Sequence, residues 1–293
     1  MANYTKWLGY ILFATILSGV FLYFCFPSDV ICRYLEGSAA RLAPALALKV
    51  QRIRPVFPLG LRLEKTNLDL KERPEFPLFK ADSFVVMPSI QVLALRRPAF
   101  RFDCAAYGGK IQGVIAFKTF SLGGPLESDI EISSVRLDRY PYLRQWLNGE
   151  LTGVVSGTVV YACSQGDFLQ GSGEGDLSIS DSSLRLAQPF LGMESLHFRR
   201  IDAQIALDKQ MLYLDRFDFS GEQMEGEVSG TIYLENSIAQ SSLDLTVTLR
   251  EFSALRDNPG LVDMVSFLGQ GLKEGNLTIS IHGTVAEPMI SFI

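Results

Sequence analysis

The longest uncharged stretch of the chain, residues 7–26, predicts a membrane-spanning helix. Its twenty residues (WLGYILFATILSGVFLYFCF) would extend about 30 Å as a helix, which matches the hydrocarbon core of a bilayer. Pro27 follows and would end the helix. Aromatic rings at both ends suit the two membrane interfaces. The residues expected to anchor the chain are Trp7, Tyr10, Leu12, Phe13, Phe21, Tyr23 and Phe26.

Two other targeting signals fit this stretch less well than an uncleaved anchor. A cleaved signal peptide would have a shorter apolar core and small residues before the cleavage site, whereas residues 21–24 are all bulky. A lipoprotein site at Cys25 would need a small residue before it, and Phe24 is not small. The positive charges after the stretch outnumber Lys6 before it, which opposes the positive-inside rule. Long exported domains translocate largely regardless of charge, so we expect a cytoplasmic N-terminus and an exported domain.

The periodicity after the anchor changes once. Residues 28–47 have apolar positions at helical spacing, with Ser28 or Asp29 as the N-cap, and Pro44 would break or end this helix. From Leu48 onward the apolar period becomes two. The expected organisation is a cytoplasmic tip and transmembrane anchor (1–27), a juxtamembrane helix (28–47) and an exported β-rich domain (48–293).

Strict alternation of apolar and polar residues recurs along the rest of the chain and predicts about a dozen or more antiparallel strands with one wet face. The clearest run is Leu243, Leu245, Val247 and Leu249. A slip between Ile132 and Val135 predicts a β-bulge. Two short helices are expected to interrupt the strands, at 138–148 and 255–272. The predicted fold class is therefore mainly β: an N-terminal transmembrane helix, then a large antiparallel sheet with a few short helices.

The composition excludes several classes of protein and ligand but does not identify a function. Apolar residues make up 47% of the chain, which excludes intrinsic disorder. The net charge is −5, and apart from a short basic segment at 49–62 there is no basic block, so a nucleic-acid partner is not expected. The two histidines, His197 and His282, have no further ligands at metal spacing, so we expect no metal and no cofactor. His282 is expected on the wet face of its strand.

The four cysteines lack CxxC spacing. Cys104 and Cys163 both fall on predicted strands, and an oxidising compartment would allow them to form a disulfide. Buried thiols are the alternative.

No catalytic motif is present in the sequence. The serine-rich stretch 178–183 has no Gly-x-Ser-x-Gly elbow, and the glycine-rich stretch 171–175 lacks the lysine of a phosphate-binding loop. The acidic residues of 215–227 are interpreted as a solvated strand face; paired acids can hydrolyse glycosides, but spacing in the sequence does not give their separation in space. We therefore expect no enzymatic activity and assign no catalytic residue.

Glycine-containing segments recur with a similar cadence, typical either of ordinary hairpins or of a repetitive β architecture. They are YGGKIQG (107–113), LNGELTGVVSGTVVY (147–161), FSGEQMEGEVSGTI (219–232) and NLTISIHGTVAEPMISF (276–292). Together with the anchor, these segments resemble the type II secretion system protein N family, which is related to AsmA-like envelope proteins. The last segment is similar to a common AsmA-like ending, matched here by Gly283, Thr284 and Pro288.

The resemblance implies a non-enzymatic component of the general secretion pathway, anchored in the bacterial inner membrane and facing the periplasm. Its partners would be other secretion-system envelope proteins. The AsmA-like relation implies an alternative role, in which a curved sheet shelters lipid acyl chains in an apolar groove. Alternation alone would equally build a closed sandwich.

The segment 49–62 (KVQRIRPVFPLGLR) is basic and lies shortly after the anchor. Either it is a solvated strand or it contacts lipid head groups.

Overall fold

The structure is a computed structural model. It describes residues 7, 9–14, 17, 21, 23, 25–42, 46–57, 59–71, 73–89, 98–119, 124–140, 143, 150–164, 170–190, 193–222, 224–235, 237–252, 272–273 and 276–292. The chain divides into two compact units, Met1–Pro88 and Ser89–Ile293.

The first unit consists of helix α1 (Ser28–Leu42) and strands β1 (Leu46–Val56), β2 (Gly60–Leu70) and β3 (Arg73–Pro88). The strands pair in chain order and antiparallel. The helix is shorter than the predicted 28–47, because Leu46 and Ala47 already belong to β1. Pro44 lacks the N–H that a continuing helix needs.

Helix α1 packs against β1 through a small apolar core. Cys32 of the helix is buried with Val50, Ile53 and Leu63, and Phe26 packs against the same cluster. Two polar contacts join the helix to the strand. The Ser28 hydroxyl accepts a hydrogen bond from the Ile53 N–H (3.0 Å), and the Glu36 carboxylate accepts one from the Val50 N–H (3.1 Å). The helix thus satisfies donors on a strand that begins the sheet order.

The second unit contains an antiparallel meander. Its strands are β4 (Ala99–Ala106), β5 (Gly109–Phe117), β6 (Leu126–Arg136), β7 (Leu151–Cys163), β8 (Ser172–Phe190), β9 (Met193–Asp208), β10 (Met211–Gly221), β11 (Met224–Tyr233), β12 (Ser242–Phe252), β13 (Leu272–Lys273), β14 (Asn276–Thr284) and β15 (Pro288–Phe292). Neighbours in the chain pair from β4 to β12. Strand β14 then pairs with β12, β13 and β15. The prediction of a mainly β fold with a large antiparallel sheet is confirmed.

The local sequence explains one hairpin turn and one β-bulge of the second unit. A two-residue turn at Tyr107 and Gly108 joins β4 to β5, and both residues have positive φ (52° and 77°), as a type I′ hairpin requires. The predicted bulge is confirmed, because the β6–β7 register shifts between Ile132 and Val135, where Ser134 has a φ of 54°.

Two short helices are expected to interrupt the strands, and the structure describes only a few residues of each. Leu137–Arg139 forms a 3₁₀ turn, and Leu143 is helical. The rest of the first helix, 141–142 and 144–148, lies outside the described residues. So does nearly all of the second helix; its last residue, Leu272, belongs to β13 instead of a helix.

Candidate functional site: a sheet with one apolar face

The sheet of the second unit has one apolar face, which we define by a row of residues opposed across eleven strands. Residues opposed in neighbouring strands lie on the same face, so the register alone fixes the row. Every member is apolar or glycine. The row consists of Phe102, Gly113, Ile130, Val159, Gly175, Ile205, Leu214, Gly230, Leu245, Ile281 and Ile290.

The best-packed part of the apolar face lies on β9 to β14. Leu196, Phe219, Met224, Leu249, Leu277 and Ile279 are buried there. Phe198 and Phe219 meet edge to face, with ring centroids 5.6 Å apart. Val228, Val247 and Ile281 pack against this cluster but are only partly buried. The apolar face therefore combines a packed cluster with apolar side chains that keep contact with solvent.

Glycines on the apolar face make room for large side chains opposite them. A Cβ on Gly113 would lie 3.1 Å from Cε1 of Phe102 and would overlap the Asp129 carbonyl oxygen. A Cβ on Gly175 would lie 3.0 Å from Cγ1 of Ile205. Gly113 is the last residue of the first recurring segment. The recurring glycines are therefore explained in part by close packing between strands, and not by turns alone.

The opposite, polar face is formed by the residues next to these in each strand, because successive side chains of a strand lie on opposite faces. Its matching row is Asp103, Gln112, Glu131, Thr158, Asp176, Gln204 and Arg216. Gln112 donates a hydrogen bond to Glu131 (2.6 Å). The prediction of a sheet with one apolar and one polar face is thus confirmed for this unit.

The polar face carries a charge cluster on β9 to β12, made of Arg200, Asp202, Arg216, Asp218, Glu227 and Arg250. Asp202 lies opposite Asp218, and Asp218 lies opposite Glu227, so three carboxylates line up across the strands. Each is joined to an arginine; the Arg200–Asp202 pair is 2.7 Å long.

These contacts act on the Asp202 carboxyl. The hydrogen bond from Arg200 holds the pKa of Asp202 below its usual value, with smaller help from Ser178 and the charges of Arg200 and Arg216. Burial opposes this shift. All three carboxylates have an arginine partner, which makes the charge cluster a structural element of the polar face.

Sequence reasoning treated the acids of 215–227 as a solvated face and overlooked this charge cluster. The missed signal is the spacing Arg-x-Asp, which occurs at Arg200–Asp202 and again at Arg216–Asp218. In a strand, residues two apart share a face, so each arginine lies beside its aspartate.

The predicted anchor residues are described in part. Trp7, Tyr10, Leu12, Phe13, Phe21 and Tyr23 are helical, and all six side chains are exposed, between 58% and 70%. Phe26 instead packs against the core of the first unit. Among the described residues, no single helix is both long and apolar enough to cross a membrane.

Cys104 and Cys163 are both buried, on β4 and β7. Strands β5 and β6 lie between them, and the register places Gly157, six residues before Cys163, in line with Cys104. A disulfide needs Cα atoms within about 7 Å, and adjacent strands are already about 4.8 Å apart. The predicted bridge stays a prediction, and this separation counts against it.

The two histidines lie on strands. His282 lies on the polar face opposite Asp244, as predicted; its Nδ1 is 3.3 Å from the Asp244 carboxylate, and its Nε2 is 2.5 Å from the Ser280 hydroxyl. The His197 Nε2 is 3.2 Å from the Ser195 hydroxyl. Within the described ranges, no group of three His, Cys, Asp or Glu side chains could hold a metal ion.

Comparison with known proteins adds no relative. No protein-family model, no curated protein and no solved structure matches this chain.

Proposed function

We propose that this chain is a non-enzymatic component of the type II secretion pathway, anchored in the bacterial inner membrane by residues 7–26, with its sheets in the periplasm. The anchor and the family resemblance supply the pathway. The observation that carries the mode of action is the apolar face of the second unit, whose side chains around the buried cluster are only partly buried, because an apolar surface left partly open to solvent is a candidate interaction site. The chain acts by protein contacts on that face.

The proposal is tested by complementation. Deleting the gene should leave secreted proteins in the periplasm, and the wild-type chain should restore their export. Val228→Glu places a charge on the apolar face and should fail to restore export. Ser229→Glu, the next residue of the same strand, adds the same charge to the exposed, opposite side and should restore it.

Folding must be separated from function in this test. Circular dichroism and protease resistance should show that the Val228→Glu chain folds, and Val228→Thr serves as the milder variant if it does not. Normal export in the deletion strain would contradict the proposal.

A second candidate, also favoured by the apolar face, is lipid binding of the AsmA-like kind. Aliphatic and aromatic side chains dominate this face from β4 to β15, and such a surface suits acyl chains. Native mass spectrometry of the full chain, extracted in mild detergent, should then show co-purified phospholipid that is lost in Val228→Glu and kept in Ser229→Glu. A lipid-free chain would count against this candidate.

A further inference from the structure

The first unit contains a polar pocket of about 510 Å³ that the proposed function does not use. It lies on strands β1 to β3, beside helix α1. Its charged and amide side chains are Glu36, Lys49, Gln51, Lys65, Asn67, Lys80 and Asp82.

The strand register explains why these side chains converge. Lys49 of β1 lies opposite Asn67 of β2, and Asn67 lies opposite Lys80 of β3, so the three form one row across the sheet. Lys65 comes two residues before Asn67 on β2, and Asp82 comes two residues after Lys80 on β3; both line the same pocket. Glu36 reaches the pocket from the helix and is held there by the Val50 N–H (3.1 Å).

The pocket offers both kinds of charge. Lys49, Lys65 and Lys80 contribute ammonium donors to its lining, and the Glu36 and Asp82 carboxylates can accept hydrogen bonds from a cation. The Lys49 Nζ is also held by the carboxylate of Asp69, 2.9 Å away, and the Asp69 side chain is almost fully buried.

The lining places lysine ammonium groups beside carboxylates. A group with both a phosphate and an ammonium matches this lining better than either charge alone.

The position of the pocket along the chain points to the source of such a group. Phe26, the last residue of the proposed anchor, packs into the core of the first unit, and α1 begins two residues later. Glu36 lies eight residues into α1, about 12 Å from its start. No long linker therefore separates the pocket from the end of the anchor.

We propose that this pocket binds the phosphoethanolamine head group of a membrane phospholipid. The lysine ammonium groups contact the phosphate, and Glu36 and Asp82 accept hydrogen bonds from the ethanolamine ammonium. The location at the membrane rests on the proposed anchor, but the chemistry of the pocket does not.

The test uses the full chain in detergent, titrated calorimetrically with dihexanoyl-phosphatidylethanolamine, dihexanoyl-phosphatidylglycerol and inorganic phosphate. The ethanolamine lipid should bind most tightly. The double substitution Lys65→Gln and Lys80→Gln should weaken its binding about tenfold or more, because it removes two charge-assisted contacts. Lys71→Gln removes an exposed lysine of the same unit outside the pocket, and its binding should stay within about twofold of wild type.

Each alternative outcome overturns part or all of the assignment. If inorganic phosphate binds as tightly as the ethanolamine lipid, the ligand of the pocket is a free anion and not a lipid. If the glycerol lipid binds equally tightly, the proposed contact with the ammonium group is wrong. Unchanged affinity in the double variant, with circular dichroism showing a folded chain, would exclude the pocket. None of these results depends on export of secreted proteins, so failure here is distinct from failure of the proposed function.

Discussion

At the scale of single residues, glycines and paired charges shape the two faces of the second unit. Gly113 and Gly175 lie under Phe102 and Ile205, where a larger residue would meet a neighbouring strand. On the other face, arginine partners let Asp202 and Asp218 occupy opposed positions that would otherwise repel. Both arrangements depend on what stands in the next strand.

Replacing Gly113 by alanine should destabilise the second unit. The new Cβ would overlap the Asp129 carbonyl oxygen, so the strands must shift, at a cost of roughly 1–3 kcal/mol. Gly37→Ala is the matched control, because nothing lies within 4 Å of a Cβ there and alanine favours a helix by roughly 0.5–1 kcal/mol. Denaturant melts of the two variants should move in opposite directions. A stable Gly113→Ala chain would contradict the close packing over this glycine.

Replacing Arg200 by glutamine should raise the pKa of Asp202 toward its unfolded value, because the main cause of the lowered pKa is removed. A lowered carboxyl pKa contributes stability above the unfolded pKa, about 3.9, and that contribution is lost as the pH falls through the folded pKa. Stability of Arg200→Gln should therefore depend less on pH in the range below about 4.

Carboxyl NMR titration of the full chain measures this pKa directly. Arg185→Gln, which removes an exposed arginine of β8 outside the charge cluster, should leave the Asp202 titration unchanged. An unshifted titration in Arg200→Gln would show that the hydrogen bond does not control Asp202.

At the scale of elements, α1 determines how the first unit begins. It buries Cys32 against Val50 and Ile53 and binds two N–H groups of β1. A strand with unsatisfied donors invites pairing with other chains, and the helix removes two such donors.

Replacing Ser28 by alanine should loosen this contact. The Ile53 N–H loses its acceptor, which costs about 1 kcal/mol and should speed its hydrogen exchange roughly fivefold. Ser38→Ala, on the same helix, should leave that exchange rate unchanged. Equal protection of Ile53 in both variants would mean that the Ser28 contact does not hold the strand.

Local patterns predicted the elements well, and long-range contacts less well. Alternation identified β12, and the slip between Ile132 and Val135 located a bulge, since both depend on side chains within one strand. The docking of α1 on β1 and the row Lys49–Asn67–Lys80 depend on register between strands, which no single segment encodes. The Arg-x-Asp spacing was readable in the sequence, but the opposition of Asp202 and Asp218 was not.

At the scale of the whole molecule, the chain consists of an apolar leading segment and two antiparallel β units. Residues 7, 9–14, 17, 21 and 23 of that segment are helical and exposed, and the second unit presents an apolar face opposite a charged one. A secretion component and a lipid carrier would use that face differently. Both require residues 48–293 to fold in the periplasm while residues 7–26 stay in the bilayer.

Protease digestion of spheroplasts, read by mass spectrometry, tests that requirement most directly. Once the outer membrane is opened, external protease should degrade residues 48–293 and leave a membrane-bound fragment that still contains residues 1–27. Before digestion, the intact mass should include that segment. A mature chain that begins after residue 26, or a β region protected until the inner membrane is lysed, would contradict the account.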